Sequence, residues 1–133
     1  MRGLYEYPPM AVDLVIDVDN KPGALAEVAQ AISDAGVNLS AATCVGPAER
    51  AELHILVKHA EPARHALGAI SHLAISRERE VVVVEVDDHP GVLADLTGKI
   101  ARAGVDLDLV YVATRYRVVF GAPDLDALRA ALA

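Results

Sequence analysis

The chain has 133 residues, a net charge of −7 and 53% apolar side chains, with four Tyr, one Phe and no Trp. This balance argues against a nucleic-acid partner, because such proteins present basic surfaces and aromatic stacking residues. No apolar run approaches the ~18 residues that a membrane span needs, and the first residues lack an apolar signal core. We therefore predict a cytoplasmic protein, and the single cysteine, Cys44, fits a reducing compartment.

An internal repeat is the dominant feature of the sequence. Residues 15–39 align without gaps to residues 83–107, an offset of 68, and twelve of 25 positions are identical. Chance and shared composition do not give such agreement in register. The chain is therefore a duplication, and we predict module 1 over residues 11–79 and module 2 over residues 80–133. Modules of about 65 residues are marginal alone, so we expect them to pack on each other or on a second chain.

Each repeat opens with a strand, a Pro-Gly turn and a helix. In module 1, Pro22 suits the first helical position, apolar residues then recur at helical spacing, and Gly36 stops the helix in a left-handed cap. A hairpin, a second helix and a last strand follow. The predicted bounds are a strand Ala11–Val18, a helix between Pro22 and Gly36, strands Asn38–Val45 and Ala51–Lys58, a helix Pro62–Ser71 and a strand His72–Arg77.

Module 2 follows the same order and ends before its fourth strand. The predicted bounds are a strand Val81–Val86, a helix between Pro90 and Gly104, strands Val105–Ala113 and Tyr116–Phe120, and a helix from Pro123 or Asp124 to Leu132. The fold class is α+β: two ferredoxin-like βαββαβ modules in tandem, antiparallel sheets with helices on one face, the second module lacking its last strand. The apolar strand Val81–Val86 would then have a bare edge, which we expect module 1, a second chain or the segment Leu4–Met10 to cover.

The turns between first strand and first helix are the best candidates for a binding site. Gly23 and Gly91 leave room for a ligand beside the backbone, and the helix N-terminus behind each favours a carboxylate. Asn20 and Asn38 can each donate and accept hydrogen bonds, and together they are suited to holding both ends of a zwitterionic amino acid. The alternative is that Asp19 and Asn20 merely cap the helix.

Both repeats resemble ACT domains, small regulatory modules found on many enzymes of amino-acid metabolism. The resemblance rests on DNKPGALAEVAQAISDAGVNLSA and DDHPGVLADLTGKIARAGVDLDL, and it covers nearly the whole chain after the first ten residues. It implies that a free amino acid binds at an interface between two modules. The ligand-binding residues that it implies are Asn20, Pro22, Gly23, Ala24, Leu25 and Asn38 in module 1, and Asp88, Pro90, Gly91, Val92, Leu93 and Asp106 in module 2.

The two copies differ at the positions that would touch the ligand. Module 1 has the amides Asn20 and Asn38, whereas module 2 has Asp88 and Asp106. Two carboxylates repel a ligand carboxylate and attract an ammonium group, so we favour module 1 for carboxylate contacts. The copies either form one composite site, or module 2 is a structural partner.

No catalytic, cofactor or metal site is predicted. The sequence has no phosphate loop of the glycine-lysine type and no serine or cysteine elbow. His65 and His72 are read as solvated, the pair Asp106 and Asp108 is weak evidence for a metal, and Arg115 is read as the solvated end of a hairpin. The predicted function is allosteric regulation by an amino acid, without catalysis. The alternative is a ligand-free assembly module serving as the regulatory subunit of a separate amino-acid-metabolism enzyme, and a homodimer is expected in either case.

Overall fold

The computed structural model describes residues 11–46 and 48–133, which fall into two compact units. Val12–Arg79 forms one unit, which we call module 1, and Ala11 with Glu80–Ala133 forms the other, module 2. The predicted fold class is confirmed, since both units are α+β with antiparallel strands and module 2 has fewer strands.

Module 1 has a four-stranded sheet and two helices. The sheet order is β2-β3-β1-β4, and β3 is antiparallel to both β1 and β2, so β1 and β2 run in the same direction. The elements are β1 Val12–Asp19, α1 Ala24–Asp34, β2 Ala41–Val45, β3 Arg50–Val57, α2 Ala60–Gly68 and β4 Ala74–Glu80. The last strand begins two residues later than predicted, because His72 and Leu73 belong to a turn in which Leu73 N–H donates to Ile70 O at 3.2 Å.

Alternation along β1 builds the core of module 1. Leu14, Ile16 and Val18 point to one face, where they pack with Val28 and Ile32 of α1, and all five side chains are buried. Burial of each such side chain contributes roughly 1.5–3 kcal/mol, so this face fixes the helix on the sheet and with it the β1–α1 loop.

The described part of module 2 has three strands in the order β5-β7-β6, with β7 antiparallel to both neighbours. Its elements are β5 Val82–Glu85, α3 Val92–Arg102, β6 Leu109–Ala113, β7 Arg117–Gly121 and α4 Leu125–Leu132. Among residues 11–46 and 48–133, β5 lies at an edge of this sheet, which agrees with the prediction that module 2 lacks its last strand. Val81 N–H, just before it, donates to Ala11 O at 3.1 Å, and the segment Leu4–Met10, predicted as one possible cover, lies outside the described residues.

The structure confirms the predicted C-terminal ends of α1 and α3 but not their predicted first residues. Gly36 and Gly104 are left-handed, with φ of 73° and 72°, and Val37 N–H closes the end of α1 on Ile32 O at 3.2 Å, so the predicted caps are confirmed. Pro22 is not the first helical residue, because Gly23 follows as a left-handed N-cap with φ of 88° and α1 begins at Ala24. Pro90 is displaced in the same way, since Gly91 is the N-cap of α3.

Candidate functional site

The loop from Asp19 to Gly23, which we call loop 1, joins β1 to α1 and begins with an ion-paired carboxylate. Asp19 contacts the guanidinium of Arg50 on the adjacent strand, and the ammonium of Lys21 lies 3.5 Å away. Both contacts lower the pKa of the Asp19 carboxyl, and the hydrogen bond from Arg50 has a larger effect than the one from Lys21. The carboxylate is therefore charged at neutral pH and is held toward β3.

Asn20 connects loop 1 to the β2–β3 hairpin. Its Nδ2 donates to Gly46 O at 2.9 Å and to Ala48 O at 2.8 Å, and its backbone N–H donates to Glu49 O at 2.8 Å. The alternative prediction that Asn20 or Asp19 caps the helix is wrong, because α1 has no side-chain cap hydrogen bond. Both amide hydrogens of Asn20 are instead used within the protein, which makes the residue a brace for loop 1.

The helix behind loop 1 presents backbone donors to solvent. Ala24 N–H donates to Lys21 O at 3.3 Å and Glu27 N–H donates to Gly23 O at 3.0 Å. Among the described residues, no acceptor lies against the N–H groups of Leu25 and Ala26. Two free donors at the positive end of a helix are suited to a carboxylate.

A cavity of about 310 Å³ lies at the start of α1, where Gly23 and Ala24 line it, and we call it the loop-1 cavity. Glu27 and His72 meet at its wall, with Glu27 Oε1 and His72 Nε2 2.6 Å apart. His72 was predicted only as a solvated histidine, because it lies 45 positions after Glu27 and the turn between α2 and β4 is what brings it to α1. The lining residues are Asp19, Lys21, Pro22, Gly23, Ala24, Glu27, His72 and Leu73.

Asn38 does not lie near Asn20. Strand β2 runs parallel to β1, and Ala41 pairs with Leu56, which in turn pairs with Asp13 near the start of β1. Six residues of strand separate Asp13 from Asp19, so the two ends of the sheet are about 20 Å apart. Asn38 instead lines a separate cavity of about 270 Å³, together with Ala35, Gly36, Val37, Ser40, Lys58, His59 and Pro62.

The corresponding loop of module 2, Asp87 to Gly91, repeats the backbone geometry of loop 1 with different side chains. Asp95 N–H donates to Gly91 O at 2.8 Å, and within the described part of the chain the N–H groups of Leu93 and the following residue again have no acceptor. The Nδ1 of His89 lies 3.0 Å from Pro90 O, which folds the imidazole onto its own loop. The predicted site residues Asp88 and Leu93 are exposed, whereas the Val92 side chain is buried in the core.

A third polar cluster lies on the sheet of module 1. The imidazole of His54 stands between two carboxylates, with Nδ1 2.9 Å from Asp13 Oδ2 and Nε2 2.8 Å from Glu52 Oε1. Asp13 is buried, whereas Glu52 is exposed. In residues 11–46 and 48–133, no group of three or more His, Cys, Asp or Glu side chains is arranged so that it could hold a metal ion, and no described helix is long and apolar enough to cross a membrane.

The fold and the repeated loops define a class of protein, namely two ferredoxin-like modules in tandem, each with a Pro-Gly loop opening its first helix. The family model of the ACT domain matches residues 12–71 and again residues 81–133, so the chain belongs to the ACT-domain family. No curated protein sequence matches it.

Solved structures share this architecture over almost the whole chain. Protein BT0572 from Bacteroides thetaiotaomicron is 28% identical with a TM-score of 0.81, and the match covers 92% of this chain and 86% of that one. The ligand-free regulatory subunit of aspartate kinase from Thermus thermophilus is 21% identical with a TM-score of 0.74, over 98% and 93% of the two chains. The regulatory subunit from Thermus flavus gives 21% identity and a TM-score of 0.70, over 98% and 95%.

Proposed function

We propose that this protein is a non-catalytic regulator that binds a free amino acid at loop 1. One observation carries the proposal: the loop-1 cavity is lined both by Gly23 and Ala24, at the N-terminal end of α1, and by Glu27, so a helix N-terminus and a carboxylate side chain share one cavity. A free amino acid has the complementary pair of charges, a carboxylate for the helix N-terminus and an ammonium for a side-chain carboxylate.

The expected binding mode uses backbone donors more than side chains. The ligand carboxylate accepts from Leu25 and Ala26, and its ammonium donates to Glu27, whose carboxylate has acceptor capacity beyond the contact with His72. The Leu25 side chain is half exposed beside these amides and offers an apolar contact to the ligand side chain. A modest apolar or uncharged amino acid fits this lining.

Asn38 can contact a ligand at loop 1 only if it belongs to a different module from that loop. Within module 1, about 20 Å separates its end of the sheet from loop 1, a span that no amino acid bridges. We propose that Asn38 of a second copy of the chain approaches loop 1, so that the ligand lies at an interface between modules. Binding then stabilises the arrangement that completes the site, by the difference in affinity between the two arrangements.

Module 2 serves in this proposal as a structural partner. Its loop has the same free N–H groups, but Asp88 follows Asp87 where module 1 has an amide after Asp19. An added carboxylate beside the helix N-terminus weakens the attraction for a ligand carboxylate. Amino-acid binding is therefore assigned to module 1.

We further propose that the regulated enzyme is a separate cytoplasmic protein of amino-acid metabolism. The support is the fold, which two regulatory subunits of aspartate kinase share over nearly their whole length. Co-purification of this protein with amino-acid-metabolism enzymes of its own cell, with and without the amino acid that binds, tests this part.

The first experiment is a thermal-shift screen of the purified chain against the twenty amino acids at millimolar concentration. A ligand at 100 times its Kd adds about 2.7 kcal/mol to the free energy of unfolding, which raises Tm by several degrees. Ala26→Asp places a carboxylate over the free N–H groups without harming the helix, so the shift should disappear. Ala94→Asp, at the equivalent exposed position of module 2, is the matched control and should keep it.

Two outcomes contradict the proposal. If no amino acid raises Tm, the ligand-free assembly module becomes the better description. If Ala94→Asp abolishes the shift while Ala26→Asp preserves it, the ligand binds to module 2 and the assignment to module 1 is wrong.

A further inference from the structure

The contact between Glu27 and His72 joins two backbone positions that the fold of module 1 fixes. Glu27 lies in the first turn of α1, where its backbone N–H donates to Gly23 O at 3.0 Å. His72 lies in the turn between α2 and β4, which is closed by the bond from Leu73 N–H to Ile70 O. The Leu73 side chain packs against the core of module 1. Packed elements therefore bring the two side chains together, with Glu27 Oε1 2.6 Å from His72 Nε2.

The pair of Glu27 and His72 is open to a ligand and has no competing partner. The two side chains are 44% and 57% exposed, and both residues line the loop-1 cavity. Within residues 11–46 and 48–133, each side chain makes its only hydrogen bond or ion pair with the other. A ligand ammonium that enters the cavity and contacts Glu27 therefore shares this carboxylate with one neighbour, the imidazole of His72.

His72 differs from the other side chains of the cavity because an imidazole ordinarily gains a proton between pH 8 and pH 5. Among the described residues that line the cavity, α1 contributes the charged side chain of Glu27, and loop 1 contributes those of Asp19 and Lys21. Asp19 pairs with both Arg50 and Lys21, so its carboxylate is already compensated. Protonation of His72 adds a positive charge beside Glu27, the carboxylate that the ligand ammonium requires.

We propose that His72, when protonated, competes with the ligand ammonium for Glu27 and so makes amino-acid binding at loop 1 dependent on pH. The inference rests on the proposed function and assigns a regulator to that site. The imidazolium and the ammonium repel each other across the shared carboxylate, whereas the neutral imidazole leaves the full negative charge to the ligand. Binding therefore favours neutral His72, whose proton goes to the solvent, and by reciprocity a fall in pH weakens the binding of the amino acid.

The loop of module 2 has no equivalent pair in its described surroundings. Asp95 stands at the position of Glu27, at the repeat offset of 68, and its side chain makes no hydrogen bond or ion pair within the described residues. A pH-dependent affinity is therefore expected of a ligand at loop 1 and not of a ligand at the corresponding loop of module 2.

Isothermal titration calorimetry of the full chain between about pH 6 and about pH 8 tests the proposal. The probes are L-alanine, L-serine, L-threonine and L-valine, which stay zwitterionic over this range, and the amino acid that raises Tm most in the thermal-shift screen. The Kd of a probe that binds should be about two- to fivefold larger at the lower pH, the range of an exposed charge pair. Titrations in two buffers of different ionisation enthalpy should show that binding releases a fraction of a proton.

Two matched variants separate His72 from the other histidines. His72→Gln keeps a hydrogen-bond donor for Glu27 but takes up no proton, so its Kd should stay near the wild-type value of the higher pH across the whole range. His65→Gln changes an exposed histidine of α2 that makes no hydrogen bond or ion pair within the described residues, and the wild-type pH dependence should remain. Circular dichroism and Tm establish that each variant is folded.

The outcomes distinguish this inference from the proposed function. A wild-type Kd that is equal at the two pH values, or a pH dependence that persists in His72→Gln, overturns the role of His72 and leaves amino-acid binding at loop 1 standing. A loss of binding in folded His72→Gln, or a pH dependence abolished by His65→Gln, overturns that role as well. If no probe binds to wild type at either pH, the proposed function fails, and this inference fails with it.

Discussion

Replacement of Asn20 by alanine separates a bracing role from a ligand-binding role. The substitution removes the two hydrogen bonds from Nδ2 to Gly46 O and Ala48 O and leaves the backbone N–H bond to Glu49 O in place. Each such bond contributes about 0.5–1.5 kcal/mol, and the released carbonyls are accessible to water, so the expected loss is about 1–2 kcal/mol. In a module of this size, 1 kcal/mol lowers Tm by about 4–8 °C.

The assay is urea unfolding with calorimetry, on the chain without amino acids. Asp88→Ala is the matched control, because Asp88 occupies the equivalent position and makes no hydrogen bond within the described residues. It should change the free energy of unfolding by less than about 0.5 kcal/mol. If Asn20→Ala unfolds like wild type yet loses a ligand-induced Tm shift, the bracing role is refuted and Asn20 is a direct ligand contact.

Three further predictions concern strain, pH and the buried carboxylate. Tyr116→Gly relieves about 1–2 kcal/mol of left-handed strain and loses about 0.5–1 kcal/mol to chain entropy, so urea unfolding should show a gain of about 0.5–1 kcal/mol; a loss would contradict the strained turn. Because its pKa is lowered from the ordinary 3.8, Asp19 stabilises the fold above about pH 5, and this contribution is lost as pH falls through the lowered pKa. Asp19→Asn should therefore flatten the acid limb of a Tm-against-pH curve, and an unchanged limb would exclude this ion pair as a source of stability. His54→Ala removes a partner of the buried Asp13 carboxylate and should cost about 1.5–3 kcal/mol in urea unfolding, whereas Glu52→Ala, on the exposed side of the same imidazole, should cost under about 1 kcal/mol; equal losses would contradict this division.

The sequence predicted the parts of the fold that local chemistry determines. The first strand, predicted over Ala11–Val18, and the left-handed glycines at Gly36 and Gly104 are each readable from a few neighbouring residues, and the duplication is readable from a comparison of the two copies. The smaller number of strands in the described part of module 2 agrees with the prediction from the second repeat. These features depend on spacing and backbone preference, which a linear sequence displays.

The site was less predictable, because its contacts join distant segments. Asn20 reads as a helix cap until the hairpin carbonyls, 26 and 28 positions away, are placed beside its amide. His72 meets Glu27 across 45 positions. The distance between Asn20 and Asn38 follows from β1 and β2 running parallel, a fact of strand order that composition does not carry. The prediction that Pro22 is the first helical residue was wrong for a local reason, because the left-handed Gly23 is the N-cap and α1 begins only at Ala24.

Gly46 places a constraint on how the two copies can diverge. A Cβ at this position would lie 3.0 Å from Ala51 Cβ and 3.1 Å from Cγ and Nδ2 of Asn20, so a side chain there crowds the Asn20 amide and requires a neighbour to shift. The duplicated copy has Thr114 at the equivalent position and Asp88 in place of the amide. Positions 20 and 46 therefore constrain each other. Transfer of the Asn20 contact to module 2 calls for Asp88→Asn together with Thr114→Gly, because a side chain at position 114 would crowd the introduced amide.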